Sequence, residues 1–307
     1  MSHNAVFDRR FLTSATTLGL LWLVPASQAV AGEPSSAPGP AVGAQFDGAH
    51  VYLAAPDLEA FVTSFVATFG GQASGAATTA VTPAPSRTTF VGVETPVGRL
   101  SVFAFSTPVP YPFGAEPVGY LVSDMDSAVA GATAAGADVL VAPFSDPIGR
   151  DAVIQWPGGV TMQLYWHTVA PSAPPLATVP EHRVYVSPLR ADTFVADFLR
   201  FSKGAVVSDT AQAPGAEIGR PGETFRRVRL ASDFGRMTVL VTDGHLPFPY
   251  GRETYGYEVG NLGETLGRAR ASGAAVLVAP FASDGREAAM VRFPGGYVAE
   301  IHANLAR

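Results

Sequence analysis

Apolar residues along this chain switch between a strand period and a helix period, and the switching recurs in the same order. A strand-like run at 50–54 ends at Pro56 and Asp57, and Leu58, Phe61, Phe65 and Phe69 then follow at helical spacing until Gly70 and Gly71. Two runs rich in β-branched and aromatic residues, 88–93 and 99–105, flank a turn-like 95–98. A strand at 119–122 leads to Asp124, the expected N-cap of a helix running through Val129 to Ala135 and stopping at Gly136. Apolar runs at 139–141 and 153–156, a Pro157-Gly158-Gly159 turn and a closing strand complete the pattern. Later in the chain, 182–186 reads as a strand, Phe194, Phe198 and Phe201 mark a helix, and 225–230 and 236–241 read as strands. Asn261 followed by Glu264 then opens a helix in the manner of a capping box, with Leu262 and Leu266 on one face and a stop at Gly273. The spacing predicts a β-α-β-β-β unit occurring four times, two to each half.

The halves are copies. Val139-Leu140-Val141-Ala142-Pro143-Phe144 returns unchanged as Val276-Leu277-Val278-Ala279-Pro280-Phe281. At the same spacing Gly98-Arg99 matches Gly235-Arg236, Gly119-Tyr120 matches Gly256-Tyr257, and the two Pro-Gly-Gly turns coincide. A shared spacing over so many positions identifies a duplicated unit. Near the start the spacing shortens: His50 is matched with His182, so the first loop differs in length between the halves.

Composition narrows the possible roles. A net charge of −6 without a Lys/Arg cluster argues against a nucleic-acid partner. The absence of Cys excludes disulfides, thiolate nucleophiles and thiolate metal sites. No phosphate-binding glycine loop, nucleophile elbow or His-Glu-x-x-His segment is found.

Residues 1–31 carry Arg9-Arg10, an apolar run from Leu18 to Val24 and small residues at Ala29-Val30-Ala31, the order of an export signal. Arg9-Arg10-Phe11-Leu12 is twin-arginine-like without the usual spacer. The apolar run is short for a membrane span, so an exported, periplasmic or extracellular protein with no stable span after cleavage is expected. Pro- and Ala-rich composition marks linkers at 32–44 and 170–180, leaving folded domains at 45–169 and 181–307.

Four β-α-β-β-β modules, paired and closed by Pro-Gly-Gly strands, resemble the vicinal oxygen chelate superfamily of glyoxalase, bleomycin-resistance and extradiol-dioxygenase folds. The resemblance implies an α+β protein of two tandem glyoxalase-like domains, each a cup-shaped mixed sheet made of two modules. It also implies a monomer, because the domain pairing is internal. Family members hold a metal on side chains pointing into the cup. Position by position the first half offers His50, Val102, Val118 and Gln163, and the second offers His182, Val239, Tyr255 and Glu300. Valine is not a ligand, so the quartet is largely lost.

Two functional readings follow, with a structural or partner-binding role as a third. In the first, the chain binds a small organic molecule in a cup, with His50, Gln163, Tyr165, Arg252 and Arg286 as ligand-binding candidates. The second is a metal-dependent lyase, isomerase or dioxygenase-like enzyme working in the second half. There His182, Glu300 and His302 would hold one divalent ion (Zn, Fe, Mn or Ni), and Tyr255 or His245 would handle protons. Arg150 and Arg286 stand in matching loops and suit an anion or a neighbouring acid. Pro-aromatic loops at 108–114 and 245–251 are expected at the rims of the cups.

Overall fold

A computed structural model of the chain describes residues 39–305, so the expected export signal at 1–31 lies outside the described residues. The first half contains β1 (Gly48–Ala54), α1 (Leu58–Phe69), β2 (Gln72–Ala73), β3 (Ala77–Thr79), β4 (Thr88–Thr95) and β5 (Gly98–Phe105). It continues with β6 (Val118–Leu121), α2 (Met125–Ala134), β7 (Asp138–Ser145), β8 (Gly149–Gln155) and β9 (Thr161–His167). The second half contains β10 (Glu181–Val186), α3 (Ala191–Ser202), β11 (Ala205–Pro214), β12 (Thr224–Ser232) and β13 (Gly235–Val241). Its second module is β14 (Thr254–Glu258), α4 (Leu262–Ala271), β15 (Ala275–Ser283), β16 (Arg286–Arg292) and β17 (Val298–Asn304). No helix among the described residues is long and apolar enough to cross a membrane.

Each half makes one mixed sheet. The strand orders are β2-β4-β5-β1-β6-β9-β8-β7, with β3 also on β4, and β11-β12-β13-β10-β14-β17-β16-β15. Within a module the first strand runs parallel to the last: β1 to β5, β6 to β9, β10 to β13, β14 to β17. The modules join edge to edge through the antiparallel pairs β1–β6 and β10–β14. The α+β architecture of two tandem domains, each built from two modules, is therefore present, with one sheet curled into a half-barrel.

The helix ends form where the sequence places them. The side chain of Asp124 accepts from the Ser127 amide at 2.7 Å, and that of Asn261 from the Glu264 amide at 3.1 Å, satisfying donors left free by the first turn.

One face of each sheet carries the helices, and the two halves bury these faces against each other. Phe65 and Phe69 of α1 lie 5.5 and 5.2 Å from the ring of Tyr257 on β14, and Phe65 lies 5.1 Å from Phe293. Symmetrically, Trp156 packs 5.4 Å from Phe201 of α3. Strand alternation sends Ala49, Val51 and Leu53 into this shared core, and His50 and Tyr52 to the opposite, inner face.

Candidate functional site

Pairing registers decide which residues share an inner face. On β1, His50 is opposite Ser101, and on β10 the residue in the corresponding place, opposite Thr238, is Arg183. His182 instead corresponds to Ala49: it pairs with Tyr255 as Ala49 pairs with Val118. A shift of one residue moves a side chain to the other face of a strand. His182 therefore points into the core between the halves, away from Glu300. There it stacks on Tyr255 at 5.3 Å, its Nε2 is 3.1 Å from Glu253, and its Nδ1 is 3.4 Å from the Tyr120 hydroxyl. Tyr255 is also in that core, donating from its hydroxyl to Asp47 at 2.5 Å. Burial raises the pKa of Asp47 and, with the nearby Asp47 charge, that of Tyr255. The expected metal set of His182, Glu300 and His302, with Tyr255 beside it, is not brought together.

By register, the inward positions around His50 are Ser101, opposite it, and Gly119 and Gln163, opposite one another with Gly119 facing Gly48. In the second sheet the corresponding positions are Arg183, Thr238, Gly256 and Glu300. Val102, Val118, Val239 and Tyr255, the positions first aligned with the ligand quartet, belong to the core face. Gly119 leaves room for His50: a Cβ there would stand 2.4 Å from its Nε2, so the imidazole would have to move.

The second inner face neutralises its own charges. Arg183 Nη1 donates to Glu181 at 2.8 Å, and its Nη2 lies 3.0 Å from Glu300. Arg286 Nη1 reaches Glu181 at 3.2 Å, and His302 Nδ1 is 3.2 Å from Glu300. Burial favours the neutral acid, but Arg183 and Arg286 overcome it and hold Glu300 down to about 2. The same face is also filled. The connection from α3 to β12 is longer than that from α1 to β4 and contains the helical turn Gly215–Ile218. Ile218 and Ala213 pack on Phe225 and Leu240, with Tyr185 and Leu246 against them. Glu217 from this turn bonds Arg227 and accepts from Ser283 Oγ at 2.7 Å. Leu246 sets the Pro-aromatic loop 245–251 over the same cluster, while His245 and Arg252 are exposed. Arg150 and Arg286 do not match: Arg150 forks onto Asp126 of α2 at 2.9 and 3.0 Å, whereas Arg286 is buried.

The first inner face is different. His50 is 7% exposed and Glu116 0% exposed; His50 Nδ1 and Glu116 Oε2 have no hydrogen-bond partner. The Tyr52 hydroxyl donates to Glu116 Oε1, which is 3.7 Å from His50 Nδ1. Tyr52 stacks on Phe103 at 5.2 Å and on Phe105 at 6.1 Å. Asp151 is buried near Gln163. Burial, with Asp146 and Glu116 adding like charge, pushes Asp151 up to about 8, while hydrogen bonding from Gln163 opposes the rise. Tyr165, opposite Asp151 across β8 and β9, donates from its hydroxyl to the Phe46 carbonyl at 2.7 Å. Glu116, Asp151 and Arg183 were not among the candidates from sequence. The glycines kept in both copies, Gly119 and Gly256, were the available signal for the inward positions.

The raised Asp151 pKa predicts a pH dependence. Its folded value, about 8, exceeds the ordinary 3.8, so the folded state holds the extra proton between them and stability falls as pH rises through that window. Asp151→Asn is expected to remove this slope and stabilise the protein by on the order of 2 kcal/mol at pH 8.5. Melts at pH 5 and 8.5 check it; parallel losses in wild type and variant would refute it.

Neither set fits a divalent ion. The second offers Glu300, already paired with a guanidinium, beside Thr238 and Gly256; the first offers one imidazole and one amide with Ser101 and Gly119. Among the described residues, no group of three or more His, Cys, Asp or Glu is arranged to hold a metal.

No family model matches the sequence, and no curated protein matches it. Solved structures do. A triple mutant of 4-hydroxymandelate synthase from Streptomyces coelicolor is similar at TM-score 0.56 and 15% identity, covering 87% of this chain and 94% of that one. A Mn(II)-bound glyoxalase from Novosphingobium aromaticivorans is similar at 0.52 and 13%, covering 86% and 83%. The 2,2',3-trihydroxybiphenyl 1,2-dioxygenase of Sphingomonas wittichii strain RW1 is similar at 0.50 and 14%, covering 85% and 90%. In strand order, module pairing and these likenesses, the chain has the tandem two-domain fold of the vicinal oxygen chelate superfamily.

Proposed function

We propose that the chain is an exported protein that holds a small organic molecule against the inner face of its first sheet, without the family's metal quartet. The observation that carries this reading is the contrast between the two inner faces. The second pairs Arg183 and Arg286 with Glu181 and Glu300 and is packed by Ile218 and its neighbours. Both faces hold buried polar atoms without a partner, Thr238 Oγ1, His302 Nδ1 and Glu217 Oε2 on the second, but the first leaves the Glu116 carboxylate without a guanidinium, its Oε2 and His50 Nδ1 unpaired beside the rings of Tyr52, Phe103 and Phe105. An unpaired buried polar atom costs about 1–3 kcal/mol, which a bound ligand offsets by supplying the missing partner. Apolar walls with a few convergent polar groups are the ordinary make-up of a small-molecule site. Export rests on the order of charged, apolar and small residues in 1–31. A metal-dependent lyase, isomerase or dioxygenase-like reaction in the second half would need His182 and Glu300 on one face, and the strand register separates them.

The test is a thermal-shift screen of the mature chain with small aromatic amines, alcohols and acids. At least one compound is expected to raise the melting temperature in wild type and not in His50→Phe, which replaces the imidazole 3.7 Å from Glu116 by a larger apolar ring. A shift that survives His50→Phe, or no shift with any compound, would count against the reading.

A further inference from the structure

We propose that the first inner face selects a small organic cation, an ammonium or guanidinium carried on an apolar body. This inference rests on the small-molecule reading above and adds the charge of the ligand.

Three independent observations lead to it. First, Glu116 and Asp151 have no cation paired with them: Arg99, on the same face of β5, is paired with Glu94 at 2.9 Å. The charged neighbours acting on Asp151 are Asp146 and Glu116, and those acting on Tyr52 are Glu116 and Asp151, all of them acids. Arg150, next in sequence to Asp151, is turned outward onto Asp126. A ligand bringing positive charge gains from Glu116 what a neutral or anionic one does not, and it also favours the charged form of Asp151, which burial and like charge otherwise hold protonated. Second, the acids adjoin stacked rings. Tyr52 lies at 29° to Phe103 and 27° to Phe105, and a cation against such faces is attracted by the ring quadrupole while its apolar part covers the rings.

Third, the duplicated half places a cation of its own at the position of His50. Arg183 stands where His50 stands, and its guanidinium lies between Glu181 and Glu300, with Glu300 in the place of Gln163. What the second copy supplies covalently from β10, the first lacks: His50 is shorter, and Glu116 Oε2 is left without a donor. The acceptors differ in position, because Gly48 and Gln163 stand where Glu181 and Glu300 stand; the first copy's own acceptor is Glu116, beside an aromatic wall and without a guanidinium.

The experiment uses three probes of one shape and different charge: benzylamine, benzyl alcohol and benzoate, titrated into the mature chain by calorimetry at pH 7.5. Benzylamine is expected to bind about tenfold or more tightly than benzyl alcohol, with benzoate weakest. Glu116→Gln, which keeps the shape and removes the charge, is expected to bring benzylamine and benzyl alcohol within about twofold of each other. His50→Phe is expected to abolish binding of all three, and the melting temperature of each variant establishes that it folds. Benzoate or benzyl alcohol binding as well as benzylamine in a His50-dependent way would overturn the cation inference and leave the site standing. Binding of no probe, or binding indifferent to His50→Phe, would overturn both. Retention of the full charge preference in folded Glu116→Gln would overturn the assignment of Glu116 as its source.

Discussion

Arg183→Ala is expected to destabilise the protein by about 3–5 kcal/mol, as removing one member of a buried ion-pair network does. The side chain is 2% exposed, and its guanidinium contacts Glu181 at 2.8 Å and Glu300 at 3.0 Å. Without it, two buried carboxylates share Arg286, which reaches Glu181 at 3.2 Å but Glu300 only at 4.0 Å. The loss is electrostatic before it is steric, so the double variant Arg183→Met with Glu300→Gln is expected to recover a substantial part of it. Arg183→Lys is expected to recover less, because an ammonium cannot fork across two acids. Denaturant unfolding of the three variants checks the order. An Arg183→Ala protein as stable as wild type would mean that the network contributes nothing, and that the second inner face is not held by its own charges.

The second large effect is expected at Phe65. Phe65→Ala should cost about 3–5 kcal/mol, the range for emptying a buried aromatic position. Its ring is 0% exposed and lies among Phe61, Phe69, Tyr257 and Phe293 at 4.7–5.6 Å. Phe61, Phe65 and Phe69 belong to α1 of the first half, while Tyr257 and Phe293 belong to the second. The cavity would open at the junction of the halves, so both are expected to lose stability together, in one transition at lower denaturant. Two separated transitions in the variant, with the second half unchanged, would show that the halves do not depend on this contact.

The repeated segment containing Val139 and Val276 is the best-preserved text in the chain, yet it is scaffold. It forms β7 and β15, the last strands in their sheets, where Pro143 and Pro280 are tolerated because an edge strand has an unpaired side. Its constant spacing, carried to β9 and β17, sets Gln163 against Glu300, as the strand registers do. The same alignment faltered before β4, where the halves differ in loop length. Matching His50 to His182 by residue type then chose the wrong face of β10.

The sequence by itself determined the module order and its duplication, the four helices, the caps of α2 and α4 and the glycine stops after α1, α2 and α4. These follow from local periodicity and turn chemistry, which a single chain displays without its partners. Only the tertiary structure decided which residues look inward. A strand has two faces one residue apart, and the choice between them is made by hydrogen bonds to strands distant in sequence, here β10 to β13 and β14. That choice sends His182 to the core and Arg183 to the inner face. Long-range packing likewise decided which charges meet. Glu181, Glu300 and Arg286 find Arg183, whereas Glu116 finds a tyrosine hydroxyl and a histidine but no cation.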